Sequence, residues 1–347
     1  MLLRISLLLS IMDIHGLKNI AQRLMADDKG LLAMDESLAT CNKRFKALGI
    51  PETEEFRRKY RQLIVTTPLL EESISGAILF DETVYQKTED GVSFLSLLEH
   101  KGIIAGIKVD EGAVALAGFP GEKITEGLDG LHNRLEVYYS LGIRFAKWRA
   151  VIKIDEGIPT KACIKVNAVT LARYAALCQE VGLVPIVEPE VLMDGDHTLA
   201  DCEKVTSLVL KEVFNELYEQ RVCLEGMILK PNMIVPGLDC KVQNDVEEVA
   251  EATISCFLRV VPAAVGGVAF LSGGQPYELA SERLNMMHLR FGQLMPWPLT
   301  FSFSRAIQQP ALDIWKGQDQ NVKAAQEMLA FRASCNSTAR RAEYNHV

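Results

Sequence analysis

The segment LVPIVEPE, residues 183–190, is a short apolar run rich in β-branched residues, and it ends with two glutamates. It follows VNAVTLARYAALCQEVG, residues 166–182, in which apolar residues return every three or four positions, as on one face of a helix. A helix followed by a buried strand is the repeating unit of α/β folds with a parallel sheet. Recurrence of this pair along the chain would therefore decide the fold.

The pair does recur. Seven further runs of the same kind lie at 30–37, 76–82, 103–110, 143–149, 225–232, 265–274 and 298–305. Helical periodicity is also present at 53–65, 126–142 and 244–261. Eight strands without a dividing linker fit a barrel better than a doubly wound sheet, which normally has fewer strands and a glycine-rich first turn. The sequence predicts a single α/β domain, a (β/α)8 TIM barrel over residues 13–347, with a C-terminal helix and a short tail.

The first twelve residues, MLLRISLLLSIM, contain a short apolar stretch that superficially resembles a secretory signal. Ser6 and Ser10 interrupt it, no A-x-A site follows, and Met12 offers an alternative start. We expect residues 1–12 to be an N-terminal extension outside the fold. No run reaches the roughly 18 apolar residues of a membrane span.

Composition excludes several classes of function. The 347 residues carry a net charge of −8, which disfavours nucleic acid and anionic membranes as partners and leaves a small molecule as the expected ligand. Eight cysteines without a C-x-x-C pair indicate reduced thiols in a cytosol. Six histidines without metal-binding spacing predict no metal centre and no cofactor, so chelators should leave activity unchanged.

Polar residues close nearly every predicted strand, which is where barrel enzymes build their active sites. These residues are Asp35, Asp81, Lys108, Lys147, Arg149, Glu188, Glu190, Lys230, Ser272 and Arg305. The strand period of two places Lys147 with Arg149, and Glu188 with Glu190, on shared faces. We expect these side chains to converge on one pocket.

Lysine chemistry is the mechanism that these residues favour. Neighbouring cations lower each other's pKa, and a neutral lysine attacks carbonyl groups. Lys230, behind the apolar residues MIL, is expected to be the most desolvated and to form a Schiff base, while Lys108 and Lys147 supply positive charge. Glu188 and Glu190 are expected to separate their pKa values, so that one serves as an acid. The alternative is that both glutamates are structural ion-pair partners.

The segments FLSGGQ, 270–275, and FSFSRA, 301–306, favour an anion cradle after the last two strands. Backbone N–H groups of Gly273 and Gly274 can approach phosphate oxygens closely, and Arg305 can pair with two of them. The segment GFPGEKIT, 118–125, superficially resembles a P-loop but lacks the G-K-[ST] ending.

Several long motifs together resemble the class I, or Schiff-base, fructose-bisphosphate aldolases. They are LAMDES, SGAILFDETVYQKTEDG, GIKVD, EGLDGL, FAKWR, GLVPIVEPE, LKPNM, FLSGGQ and NVKAAQE, and the likeness runs from about Gly16 to about Tyr344. The resemblance implies a homotetrameric cytoplasmic enzyme of glycolysis and gluconeogenesis. It also implies metal-free, reversible cleavage of fructose 1,6-bisphosphate into dihydroxyacetone phosphate and glyceraldehyde 3-phosphate.

Matching motifs carry the family's catalytic roles onto this chain. Lys230 resembles the Schiff-base lysine, and Asp35 resembles the residue that deprotonates the C4 hydroxyl. Lys147 would stabilise charge, Glu188 would act as acid and base in carbinolamine dehydration, and Glu190 would tune it. By the same resemblance two sets of residues hold the two phosphates. The C1-phosphate set is Ser272, Gly273, Ser302 and Arg305, to which the cradle argument adds Gly274, and the distal set is Ser37, Thr40, Lys108 and Arg149.

Three departures from the family pattern carry expectations. Ser304 stands where many relatives have glycine, which would cost roughly 1 kcal/mol if its φ were positive. Thr40 replaces a serine and keeps a hydroxyl. The sequence stops at Val347, whereas many relatives continue to a terminal tyrosine, and Tyr344 matches an earlier one. Because that terminal tyrosine helps to move the C3 proton of the enamine, we expect slow enamine protonation here.

Two other functions remain open at this stage. One is a transaldolase-like Schiff-base barrel that acts on another sugar phosphate, and the other is a barrel retained only for binding. The preference among fructose 1,6-bisphosphate, fructose 1-phosphate and sedoheptulose 1,7-bisphosphate also stays open.

Overall fold

The computed structural model describes residues 13–345. The predicted extension, residues 1–12, lies outside the described residues. No helix in the described part is long and apolar enough to cross a membrane.

Eight parallel strands close into a barrel, which confirms the predicted (β/α)8 architecture. In chain order the strands are β1 (Gly30–Met34), β2 (Ile74–Leu79), β3 (Ile104–Lys108), β4 (Gly112–Ala115), β5 (Lys123–Glu126), β6 (Phe145–Ile152), β7 (Val184–Val191), β8 (Ile228–Leu229), β9 (Val268–Phe270) and β10 (Leu299–Phe303). The order around the barrel is β1-β10-β9-β8-β7-β6-β3-β2. The carboxyl ends of all eight strands therefore meet at one rim.

Helices surround the barrel on the outside. They are α1 (Ile14–Leu24), α2 (Leu38–Ala47), α3 (Glu54–Val65), α4 (Asp81–Val84), α5 (Phe94–His100), α6 (Leu131–Ser140), α7 (Lys161–Val181), α8 (Leu199–Glu219), α9 (Val246–Val260), α10 (Tyr277–Phe291), α11 (Arg305–Trp315) and α12 (Val322–Arg340). Side-chain caps fix several beginnings: Thr198 and Asp245 form capping boxes with Asp201 and Glu248. The predicted 126–142 helix begins only at Leu131, because residues 123–126 belong to β5.

Sequence periodicity missed the antiparallel hairpin of β4 and β5, which follows β3. Its strands are four residues long and mostly solvent-facing, so they bury no apolar stripe that a pattern could reveal. The GFPGEKIT segment supplies its turn and its second strand. The predicted strand 225–232 is shorter in the structure than in the prediction, since only Ile228–Leu229 form a regular strand.

Two layers of apolar side chains form the core. The larger layer lies between the barrel and the outer helices. The smaller one fills the amino-terminal end inside the barrel with residues such as Leu31, Phe145 and Val184, and it includes Leu17 and Ala21 of α1. Because α1 packs onto this end, a ligand reaches the barrel interior from the opposite rim, where the strand ends lie.

Candidate active site

A cavity of about 1330 Å³ opens at the carboxyl ends of the strands. It brings together fourteen of the fifteen site residues predicted from the sequence, all except Gly274, and these line its wall: Asp35, Ser37, Thr40, Asp81, Lys108, Lys147, Arg149, Glu188, Glu190, Lys230, Ser272, Gly273, Ser302 and Arg305. Eight different strand ends are needed to assemble such a wall, and only barrel closure brings them within reach of one another.

Four buried charges lie at the floor of the cavity. Lys147 Nζ lies 2.7 Å from Asp35 Oδ2 and 3.3 Å from Glu188 Oε2. Lys230 Nζ lies 3.3 Å from Glu188 Oε1, so one carboxylate bridges both lysines. Backbone pairing sets this arrangement, because the Lys230 N–H donates to Val187 O at 2.8 Å and places Lys230 beside Glu188.

The electrostatics of this group keep its carboxylates ionised. Burial opposes ionisation of Asp35, but the ammonium groups of Lys147 and Lys230 outweigh it and lower the Asp35 pKa to about 2. The same balance lowers the pKa of Glu188. Burial also opposes the charge of Lys147, yet Asp35 and Glu188 raise its pKa above the usual range. Lys147 is therefore a permanent cation at neutral pH.

Three expectations from the sequence differ from this geometry. Lys230 is not the most desolvated lysine, because Lys147 and Lys230 are each only 3% exposed. The pKa of Lys147 rises instead of falling, since its carboxylate neighbours dominate over the other cations. Glu188 and Glu190 do not chiefly act on each other, because each has its own cation: Glu188 contacts the lysines and Glu190 pairs with Arg149.

A second charged cluster lies where β3 and β6 adjoin. Lys108 and Lys147 are directly paired in the ladder. Lys108 Nζ donates to the main-chain oxygen and to Oδ1 of Asp110, both at 2.6 Å, and the Arg149 N–H donates to Asp110 Oδ2 at 3.2 Å. Asp110 was missed in the sequence, although it stands two residues after Lys108 in GIKVD and strand period predicts the shared face. Asp110 thus orients Lys108 and the β6 backbone beside Arg149.

The two segments predicted to form an anion cradle lie across the barrel from that cluster. Gly273 and Gly274 have φ of +60° and +97°, a backbone conformation that other residues rarely adopt. A Cβ at Gly274 would stand 3.0 Å from Arg305 Nη2, so the turn and Arg305 pack closely. The Ser302 hydroxyl is buried, lines the cavity and has no hydrogen-bond partner within residues 13–345. A ligand oxygen placed there would satisfy it.

The distal set begins at the start of α2. Ser37 is the N-cap of this helix, and its hydroxyl accepts from the Thr40 N–H at 3.3 Å. The two side-chain oxygens lie 3.1 Å apart. Thr40 therefore presents a hydroxyl at a helix amino terminus on the cavity wall, where an anion is favoured.

Ser304 does not occupy a left-handed position, since its φ is −108°, and the expected backbone penalty does not arise. Its hydroxyl donates to Glu36 Oε1 at 2.8 Å and accepts from Gln308 Nε2 at 3.2 Å. Glu36 also pairs with Arg44 and Arg61 at 2.6 and 2.8 Å. This network ties the ends of β1 and β10 together, and sequence periodicity gave no signal for it.

We expect the contribution of Asp35 to stability to disappear at acidic pH. Its folded pKa of about 2 lies below its ordinary value of 3.8, so its stabilisation is complete above about pH 4 and is lost as pH falls toward 2. The difference corresponds to roughly 2 kcal/mol. Denaturant unfolding of the wild type and Asp35→Asn between pH 6 and 2.5 should show a gap in free energy of unfolding that narrows as pH falls. A gap independent of pH would contradict the ion pair with Lys147.

Comparisons with known proteins show the family of the chain. A family profile described as fructose-bisphosphate aldolase class-I matches residues 16–347. A protein from Xanthomonas campestris named probable fructose-bisphosphate aldolase class 1 is 56% identical over 329 residues, which cover 94% of this chain and 98% of that protein. The muscle-type fructose-bisphosphate aldolase of Lethenteron camtschaticum is 49% identical over 329 residues, which cover 94% and 90%.

A solved structure shares the fold closely. It is a ternary co-crystal structure of fructose-bisphosphate aldolase from Plasmodium falciparum in complex with TRAP and a small-molecule inhibitor. The TM-score is 0.94, with 46% sequence identity and coverage of 96% of both chains.

Proposed function

Because the chain belongs to the class-I fructose-bisphosphate aldolase family and is thus a lyase, we propose that it cleaves fructose 1,6-bisphosphate reversibly through a Schiff base on Lys230. One observation carries the assignment of the lysine. Lys147 and Lys230 are equally buried and both lie 3.3 Å from Glu188, but Lys147 is also held by Asp35 at 2.7 Å. Lys147 is thus fixed as a cation, which leaves Lys230 as the nucleophile.

The chemistry begins with attack of the Lys230 amine on the ketose C2. Glu188, ionised and 3.3 Å away, accepts the proton that the ammonium must lose. The same carboxyl then protonates the C2 hydroxyl, which leaves as water and yields the iminium.

Carbon–carbon cleavage uses Asp35 on the other side of Lys147. Asp35 removes the C4 hydroxyl proton, C4 becomes the aldehyde carbon of glyceraldehyde 3-phosphate, and the electron pair of the C3–C4 bond moves to the iminium nitrogen. The enamine then takes a proton at C3, and water releases dihydroxyacetone phosphate. Lys147 contacts both Asp35 and Glu188 and so stabilises each carboxylate in the steps in which it is ionised.

The placement of the cationic and polar groups supports a substrate with two phosphates. In the strand order, β9 lies four places from β3, and β10 lies four places from β6. Ser272, Ser302 and Arg305 therefore lie across the barrel from Lys108 and Arg149, whereas Ser37 and Thr40 follow β1, which adjoins β10. The C1 phosphate is assigned to Ser272, Gly273, Gly274, Ser302 and Arg305. The distal phosphate is assigned to Ser37, Thr40, Lys108 and Arg149. Lys230, after β8, stands beside the first set, as attack at C2 requires.

The direct test is a cleavage assay that detects dihydroxyacetone phosphate and glyceraldehyde 3-phosphate from fructose 1,6-bisphosphate. Fructose 1-phosphate and fructose 6-phosphate are compared as substrates. We expect the bisphosphate to give the highest kcat/KM and fructose 6-phosphate to give no cleavage. Equal cleavage of all three sugars would contradict the two-phosphate assignment and favour a transaldolase-like enzyme.

Arg305→Ala should weaken binding of dihydroxyacetone phosphate by ~2–4 kcal/mol, because a charge-assisted contact to the anion is lost. The measurement is the inhibition constant of dihydroxyacetone phosphate in the cleavage assay with fructose 1,6-bisphosphate. Lys316→Ala, at the other end of α11, is the control that also removes one cation. An unchanged inhibition constant in Arg305→Ala would place the cradle elsewhere.

We further propose that the protein works as a homotetramer in the cytoplasm. The neighbouring helices α8, α9 and α10 leave Leu208, Leu258 and Leu289 exposed, and an interface between subunits would cover apolar side chains of this kind. Light scattering coupled to gel filtration would measure the mass, and a monomer at micromolar concentration would contradict the assembly.

A further inference from the structure

A buried cation stands behind the anion cradle without lining the cavity. Arg283, on α10, is only 4% exposed, and its Nη1 donates to Gln275 Oε1 at 2.6 Å. Within residues 13–345, no ion pair includes Arg283, and its Nε has no hydrogen-bond partner. Burial lowers its pKa to about 10, against a weaker opposing effect of Glu282. A guanidinium buried against a neutral amide is unfavourable by itself.

Gln275 connects this cation to the turn that we assign to the C1 phosphate. The Gln275 N–H donates to Ser272 O at 3.0 Å and closes the turn that contains Gly273 and Gly274. Its side chain lines the same small void of about 10 Å³ as Gly273. Arg283 is thus one hydrogen-bonded residue away from the backbone of the cradle.

We propose that Arg283 is a positioning residue whose buried, uncompensated charge strengthens anion binding at the Ser272–Gly274 turn. Gln275 links Arg283 to this turn by hydrogen bonds and, being a neutral amide, leaves the charge of the guanidinium unbalanced. The inference rests on the proposed function, because it takes this turn as the site of the C1 phosphate. A phosphate in the cradle supplies the negative charge that Arg283 lacks in the free protein. The cost of burying the cation is then partly offset on binding, and this raises affinity.

The decisive variant is Gln275→Glu, which gives Arg283 a carboxylate of the same shape and leaves the guanidinium in place. An ion pair there should keep or raise the melting temperature. It should also neutralise the cation and raise the inhibition constant of dihydroxyacetone phosphate roughly tenfold. A purely structural role predicts the opposite for binding, since a stronger contact would hold the turn at least as well.

Arg283→Met and Arg283→Lys complete the series. The methionine variant should raise the same inhibition constant roughly tenfold and leave kcat within about twofold, and lysine should recover most of the affinity. Values of kcat/KM for fructose 1-phosphate and fructose 1,6-bisphosphate should fall by equal factors, since both carry the C1 phosphate. Arg332→Met is the matched control, because Arg332 is about as buried and bonds to Tyr277 O and Ser281 Oγ but not to Gln275.

Several results would overturn the inference. They are an unchanged inhibition constant in Gln275→Glu, failure of Arg283→Lys to recover affinity, or an equal effect of Arg332→Met. A loss restricted to the bisphosphate would place the influence at the distal phosphate. Failure of the proposed function looks different, because the wild type would then neither cleave fructose 1,6-bisphosphate nor respond to dihydroxyacetone phosphate.

Discussion

Lys230→Met should abolish cleavage of fructose 1,6-bisphosphate, with kcat reduced roughly 10⁴-fold or more, because the covalent route is lost while the phosphate sites remain. Borohydride reduction in the presence of labelled dihydroxyacetone phosphate should fix the label on Lys230 in the wild type. Peptide mapping would identify the labelled lysine, and the variant should take up no label.

The control for this experiment is Lys153→Met, which removes an exposed lysine paired with Asp155. It should label and cleave like the wild type. The assignment of the nucleophile would be refuted by label on Lys108 or Lys147 together with an active Lys230→Met variant. Folding of Lys230→Met should be nearly intact, because Glu188 keeps its contact with Lys147.

Lys147→Met should damage both catalysis and stability. It leaves Asp35 and Glu188 buried, with the 2.7 Å ion pair to Asp35 removed, and breaking a buried pair in this way typically costs about 3–5 kcal/mol. We expect kcat to fall roughly a thousandfold, since the charge that stabilises both carboxylates disappears. Denaturant unfolding and steady-state kinetics measure the two effects.

The comparison with Lys230→Met makes this prediction specific. The substitution and the burial are the same, but Lys147 contacts two carboxylates and Lys230 contacts one. Lys147→Met should therefore be the less stable variant, and Lys147→Arg should recover much of the stability because it keeps the charge. Equal stabilities for the two methionine variants would show that the contact with Asp35 contributes little.

Sequence periodicity predicted the barrel because its eight strands are almost entirely buried and are bounded by turn residues, a signal that needs no partner. It also placed Asp35, Lys108, Lys147, Glu188 and Lys230 at one rim, since parallel strands share a carboxyl end. The hairpin of β4 and β5 escaped it, because exposed strands of four residues carry little periodic signal.

The sequence by itself therefore determined the fold and the rim where the strand-end residues meet, both of which depend on local pattern. The type of chemistry stays a prediction from motif. Only the tertiary structure decided which charge meets which. The ion pair of Asp35 with Lys147 joins residues 112 positions apart along the chain, and the Ser304–Glu36 bond joins 268. Barrel closure and strand stagger set such partners, and a local stretch of sequence carries no information about either. For the same reason the sequence alone does not show that Lys147 contacts two carboxylates, or that Arg283 is buried with no carboxylate partner among residues 13–345.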